Sequence, residues 1–368
     1  MTRRCIAAVL LALNFAFILP LTAKADNSIE ISARSAALYV PQTNEFLYTK
    51  NANERLGMAS TTKIMTALIA LERLSLDHVI EIDERAIGID GSSIYLEKGE
   101  IMSAEALIYA LMLRSANDAA EALAYEICGN IEDFCVLMNE RATSIGLSDT
   151  NFMNPHGLDA SEHYTTAHDL ALICAEALRN DKFKEISSTY KKDIESNLKT
   201  RTLVNHNKLL KKYDGCIGVK TGYTQKCGRS LVGAAERNGL TLISVTIDAP
   251  DDWNDHKKLL DNGFSTTRAI TIAEAGDLSI PLPVINGASE FITVTNKNRI
   301  QIVCRSTHPD IQSEITLPQS ITKSVQAGEV VGKITYKLNE KTVAQTELIA
   351  KEGVQIKKKK SFFERIFK

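Results

Sequence analysis

A hydroxyl and a primary amine stand three residues apart at Ser60-Thr-Thr-Lys63. On a helix that spacing is one turn, which puts both groups on one face, so the amine can take the proton as the hydroxyl attacks a carbonyl. The pattern recurs at Ser188 to Lys191, Ser196 to Lys199 and Ser320 to Lys323, so spacing alone does not select it. Position does. Ser60 opens a stretch to Leu74 in which Ile64, Met65, Ala67, Leu68, Ile69, Ala70 and Leu71 are apolar nearly all round, the pattern of a helix through a core. The other three read as surface matches. Lysine is a base only when neutral, and lowering its pKa from about 10.4 by about three units takes roughly 4 kcal/mol of environment. Partial burial and a neighbouring cation can supply that. The candidate cation is Lys220 of Lys220-Thr221-Gly222, in a strand-like run where Gly218 and Gly222 leave room for a ligand's backbone. Ser115-Ala116-Asn117, between two helical patterns, offers a second hydroxyl and an amide; Ser-x-Asn at 115–117 and Lys-Thr-Gly at 220–222 each occur once.

The elements that must hold these groups follow from periodicity. Ser35 to Val40 and Phe46 to Lys50 are short β-type runs joined by a Pro41 turn, a hairpin signal. Helical patterns run over Ala104 to Leu113, Asp118 to Ile127 and Ala167 to Leu178, the last with a Thr166/Asp169 capping signature. Strands then follow at Ile217 to Tyr223, Leu231 to Ala235 and Leu240 to Ile247, the last two joined by Asn238-Gly239. A helix from Asp255 towards Arg268 closes the first domain. Strands, helices, then strands again predict an α+β fold, an antiparallel sheet with helices. Beyond about Ala275, short alternating segments punctuated by Pro281, Pro283, Gly287, Pro318, Gly328 and Gly332 predict a small all-β domain.

With 44% hydrophobic residues among 368, the chain can bury a large core and reads as two domains. Its net charge of −2 is too small and too evenly spread for a nucleic-acid binder. Arg3 and Arg4, the apolar run Cys5 to Leu21 and Ala23-Lys24-Ala25 read as a signal peptide cleaved after Ala25, with an uncleaved anchor as the alternative. Either reading exports the rest. The remaining six cysteines are scattered and read as small hydrophobes rather than disulfide or zinc ligands. His163 and His168 are five apart and no His-Glu-x-x-His occurs, so no metal and no cofactor is expected. His156 is assigned no catalytic role, and Trp253 and the Tyr223 side chain are placed along a substrate groove or in simple packing. The tail Lys351 to Lys368 carries Lys357 to Lys360, then Phe362, Phe363, Ile366 and Phe367, a composition suited to an anionic membrane surface, with a solvated, disordered end as the alternative.

Taken in order, Ser-x-x-Lys, Ser-x-Asn and Lys-Thr-Gly resemble the motif set of penicillin-binding proteins and serine β-lactamases. Ala59-Ser-Thr-Thr-Lys-Ile-Met-Thr-Ala-Leu68, Leu113-Arg-Ser-Ala-Asn-Asp-Ala-Ala120, Asn154-Pro-His-Gly-Leu158 and Gly218-Val-Lys-Thr-Gly-Tyr223 resemble the D-alanyl-D-alanine carboxypeptidases, over nearly the whole mature chain. The resemblance implies a β-lactamase/transpeptidase-like catalytic domain at 26–272, a small β-rich domain at 273–350 and a basic tail at 351–368. It implies that Ser60 forms the acyl-enzyme, Lys63 is the base and Ser115 relays a proton to the leaving D-alanine. Lys220 and Thr221, beside Gly222, would hold the substrate carboxylate and Asn117 the peptide amide. The backbone N–H groups of Ser60 and Tyr223 would form the oxyanion hole. Implied partners are a peptidoglycan stem peptide ending in D-Ala-D-Ala and β-lactams as covalent inhibitors, at the outer face of the cytoplasmic membrane. Several relatives carry an arginine after the last meander strand or an Asn-Arg-Asn run, where this chain has Asp251-Asp-Trp-Asn-Asp255 and Asn205-His206-Asn207. A class A β-lactamase needs a deacylating glutamate after the second motif, and Asn151 to Asp159 holds none. Transpeptidation stays open, and a silent cell-wall-binding module is the rival from another class, disfavoured by the intact Ser60, Lys63, Ser115 and Lys220.

Overall fold

The computed structural model describes residues 29–306 and 309–356; the signal-peptide reading and the Lys357 to Lys368 segment lie outside them. The hairpin β1 (Ser35–Val40) and β2 (Glu45–Lys50) joins the later strands β7 (Cys216–Thr224), β8 (Gly228–Arg237) and β9 (Leu240–Ile247). Together they make an antiparallel sheet of order β2-β1-β9-β8-β7. Every residue of β1 is buried, because the sheet is covered on both faces. On one side α8 (Asp252–Thr266) lies against β1, β8 and β9, with Gly263 close to Leu38 and Leu242. The helical layer covers the other, where Ala37 and Tyr39 join one core with Ile64, Met65 and Ile69.

That layer is inserted between β2 and β7. Ser60 to Leu74 is predicted as one helix; it begins instead as a tight 3-10 turn, Ala59–Thr62, and continues as α1 (Lys63–Arg73). After the short pair β3 (Val79–Glu81) and β4 (Ile101–Ser103), α2 (Ala104–Tyr109) opens into a wide π turn, Ala110–Arg114. Ser115 ends that turn in the left-handed region, at a φ of 59°. Helix α3 (Asn117–Cys128) follows, one residue longer at each end than the apolar pattern. Helix α5 (Ala167–Ala177) starts where the capping signature places it. Thr166 Oγ1 accepts the Asp169 N–H at 3.0 Å, while the Asp169 carboxylate accepts instead from Asp149 N and Thr150 Oγ1.

Sequence periodicity missed α4 (Ile131–Ile145), α6 (Asp181–Ser188), the hairpin β5 (Lys191–Glu195) to β6 (Thr200–Val204) and the single turn α7 (Leu209–Lys212). The three stray Ser-x-x-Lys matches fall at the end of α6, in the β5–β6 turn and in a loop of the β part, each with its lysine exposed. Helix α8 begins three residues before its predicted start and ends at Thr266, since Arg268 already opens strand β10 (Arg268–Ala273). The β part pairs β10 with β13 (Ile300–Cys304), next to a sheet of β11 (Ile280–Pro283), β12 (Phe291–Asn296), β16 (Lys341–Ala350), β15 (Val330–Leu338) and β14 (Ile311–Thr316) in that order. It has its own core around Ile292, Val294, Ile334 and Leu348. Among the described residues the six cysteines are free, three of them buried.

Candidate active site

Ser60 occupies the second position of the Ala59–Thr62 turn, where Ala59 takes a φ of 48°. The turn is tied down by its own threonines. Thr61 Oγ1 donates to Met58 O at 2.6 Å and Thr62 Oγ1 to Ala59 O at 2.8 Å. His163 accepts from Met153 N through Nδ1, so its Nε2–H donates to Thr62 Oγ1, 2.8 Å away. Burial lowers His163 to about 4, which keeps the ring in that neutral tautomer near neutral pH.

One turn further, Lys63 is fully buried and its Nζ lies 3.1 Å from Ser60 Oγ, 2.7 Å from Asn117 Oδ1 and 2.5 Å from His156 O. Burial holds this amine well below the ordinary lysine range, the nearby Lys220 lowers it further, and Asp118 opposes both. A neutral amine has two N–H groups and one lone pair. The Asn117 and His156 oxygens take the two N–H groups, which leaves the lone pair for the Ser60 hydroxyl. The arrangement is that of a nucleophile beside a pre-oriented base.

The loop that presents His156 O is packed against the nucleophile turn itself. A Cβ on Gly157, whose φ is 90°, would fall 1.9 Å from Ala59 O. Thr66 Oγ1 donates to Pro155 O at 2.6 Å, a second tie to the same loop. The His156 ring is occupied by Leu158 N and by Glu121 at 3.3 Å, so this residue contributes through its main chain.

Ser115 is buried but lines the cleft, and its hydroxyl has no hydrogen-bond partner among the described residues. The wide turn before it, closed by Ala116 N to Ala110 O at 3.3 Å, swings it there. Asn117 does not line the cleft: besides holding Lys63, its Nδ2 donates to Asp90 O at 2.5 Å and its N–H to Ser92 O at 2.7 Å. Asp118 docks the same loop, accepting from Ser93 Oγ at 2.5 Å and from the N–H groups of Ile94 and Leu96.

Strand β7 forms the open edge of the sheet and runs beside Ser60. The glycines do not serve as the sequence suggested. A Cβ on Gly222 would meet Ser60 N at 3.1 Å, and one on Gly218 would meet Ser187 at 2.9 Å, so both leave room for the protein's own chain rather than a ligand's. Gly222 thereby brings the β7 backbone against the amide of the nucleophile. Lys220 is buried, donates to Thr221 O at 2.9 Å and is pushed down to about 7 by burial alone.

The cleft holds about 550 Å³, with Ser60, Ser115, Thr221, Gly222 and Tyr223 in its wall. Trp253 lines it as well. Sequence reading missed His206, Lys208 and Arg229, which also line it. The one signal for Arg229 was the β7–β8 hairpin, which pairs it with Tyr223. His206 is lowered to about 4, chiefly by burial and further by the charges of Lys220 and Arg114.

Residues 21–251 match the family description "D-alanyl-D-alanine carboxypeptidase", and residues 268–355 match "Penicillin-binding protein 5, C-terminal domain". D-alanyl-D-alanine carboxypeptidase DacF of Bacillus subtilis is 32% identical over 90% of this chain and 88% of its own. DacA of Escherichia coli is 31% identical over 88% and 84%. Among solved structures, penicillin binding protein 5 from Haemophilus influenzae superposes with a TM-score of 0.66 at 29% identity, covering 89% of this chain and 98% of that one. A Streptomyces DD-transpeptidase superposes with a TM-score of 0.61 at 32% identity, over 64% of this chain and 98% of its own. The motif-bearing catalytic part and the all-β part are thus both accounted for, and the chain belongs to the D-alanyl-D-alanine carboxypeptidase family of serine-type hydrolases.

Proposed function

We propose that Ser60 attacks the peptide bond between the two D-alanines of a peptidoglycan stem peptide, releases the terminal D-alanine and is freed by water. The observation that carries this reading is the buried Lys63 amine, 3.1 Å from Ser60 Oγ with both N–H groups already placed. Lys63 takes the serine proton and hands it through the free Ser115 hydroxyl in the cleft to the leaving amine, so that Lys63 ends neutral and Ser115 ends protonated. The N–H groups of Ser60 and Tyr223, brought together where Gly222 meets the nucleophile turn, hold the developing oxyanion, a contribution of roughly 3 to 4 kcal/mol per donor. Asn117 acts on Lys63, fixing its amine, rather than on the substrate directly. Lys220 and Thr221 stabilise the substrate end of the cleft.

A β-lactam presents the same acyl group and carboxylate, so it acylates Ser60. With no glutamate in Asn151 to Asp159 to activate water, the adduct persists. The test is incubation with labelled penicillin and with a peptide ending in D-Ala-D-Ala. A stoichiometric label and released D-alanine are the expected results; an unlabelled chain that releases no D-alanine overturns the reading.

The enzyme would work outside the cytoplasm, delivered by the segment ending at Ala25 and held at an anionic membrane surface by Lys357 to Lys360 with the apolar residues that follow. Each such lysine is worth about 1 kcal/mol near the surface. Deleting Lys357 to Lys368 is expected to release the enzyme from vesicles of anionic lipid, with penicillin labelling intact. Unchanged vesicle binding would refute the anchor.

A further inference from the structure

We infer that Arg229, held in place by Asp252, receives the terminal carboxylate of the substrate beside Thr221. The inference rests on the carboxypeptidase reading and assigns the contact that Asn205-His206-Asn207 and Asp251 to Asp255 left without an arginine.

Position is the first support. In the β7–β8 ladder Tyr223 pairs with Arg229 and Thr221 with Leu231. Residues directly opposite share a face, as do alternate residues along a strand, so Thr221, Tyr223 and Arg229 lie on the same face. That face carries α8, whose first turn adds Asp252 and Trp253 to the cleft wall.

Anchorage is the second. The Arg229 guanidinium lies 3.1 Å from Asp252 Oδ2, and the aspartate side chain is only 4% exposed whereas the arginine's is 43% exposed. Asp252 Oδ1 is itself fixed by the Trp253 N–H at 2.9 Å. A guanidinium has five N–H donors in a planar fork, so one contact with Asp252 leaves donors for a second carboxylate. The paired form is worth more than a point charge because two parallel N–H donors match two carboxylate oxygens.

The other cations are less suited. Lys220 is buried and spends an N–H on Thr221 O. Lys208 is exposed, with its ammonium 5.9 Å from the centre of the Trp253 ring. Asp252 is a positioning residue in this scheme, since it reaches the substrate through Arg229.

The experiment compares full-length enzyme and variants on two acylated peptides ending in D-Ala-D-Ala, one with a free terminal carboxylate and one with a carboxamide. Arg229→Gln is expected to raise KM for the carboxylate peptide about ten- to a hundredfold, leave the carboxamide peptide within about twofold, and so collapse the preference between them. Arg229→Lys, which keeps the charge but loses the fork, is expected to fall between, and it stands in should the glutamine variant fold poorly. Asp252→Asn is expected to shift the same preference in the same direction by less. A preference in Arg229→Gln equal to wild type, or an equal loss on both peptides, overturns the assignment. A wild-type enzyme that releases neither D-alanine from the carboxylate peptide nor D-alaninamide from the carboxamide peptide overturns the carboxypeptidase reading instead, and the assignment with it.

Discussion

Alanine at position 60 is expected to abolish both penicillin labelling and D-alanine release while leaving the fold intact. The side chain being removed is small and half-buried, and among the described residues its hydroxyl hydrogen-bonds to Lys63 Nζ at 3.1 Å, so little packing is lost. The turn that carries it is held by Thr61, Thr62 and the Gly157 loop, none of which depends on the Ser60 hydroxyl. Removal of a catalytic nucleophile costs on the order of a millionfold in turnover where nucleophile and base act as a unit. Label incorporation by mass spectrometry and a thermal melt together decide the matter. A labelled Ser60→Ala chain would show that another hydroxyl, Ser115 being the nearest in kind, is the acceptor.

Lys63→Met is expected to slow acylation by about 100- to 10,000-fold and to change how stability responds to pH. Methionine fills a similar unbranched space but offers no lone pair to Ser60 and no N–H to Asn117 Oδ1 or His156 O. The pH effect follows from the depressed pKa. An amine whose folded pKa lies below its unfolded value of about 10.4 is neutral in the native state and charged in the unfolded one between those two values. The unfolded chain then binds more protons, so stability rises with pH across that window, by up to about 1.4 kcal/mol per pH unit for each such lysine. Lys220 contributes this slope from about 7 upward, and Lys63 adds its own. Denaturant midpoints measured from pH 6 to 9 should climb in the wild type and climb less in Lys63→Met. Equal slopes in the two proteins would mean that Lys63 is charged in the native state and unfit to be the base.

How much of this was legible beforehand depended on what kind of information each feature needed. Ser60 and Lys63 were legible because a buried helix has a one-dimensional signature. The three spare Ser-x-x-Lys matches lack that signature, and their lysines are exposed. The 3-10 start of the nucleophile turn and the wide turn before Ser115 were not legible. Both are set by contacts from elsewhere in the chain, Gly157 against Ala59 O and the Asp90 to Leu96 loop against Asn117 and Asp118. Gly218 and Gly222 signal a need for space, but sequence cannot say which backbone approaches, and here it is the protein's own. Helix α6 and the β5–β6 hairpin were missed since their apolar residues are few, with Phe183, Ile186 and Ser187 the only buried positions of the helix. Arg229 was missed because its distance from Ser60 along the chain says nothing until the β7–β8 register is drawn.

The short pairing of β10 with β13 sets where this chain can be cut. β10 follows α8 after a single residue, yet its partner comes about thirty positions later, beyond β11 and β12. A chain shortened to end between Glu274 and Arg299 would keep β10 and lose β13, leaving Ile270 and Ile272 on an unpaired edge able to template association with a second copy. One shortened to end at Thr267 would keep the whole of α8 and the sheet it covers, and would present no such edge.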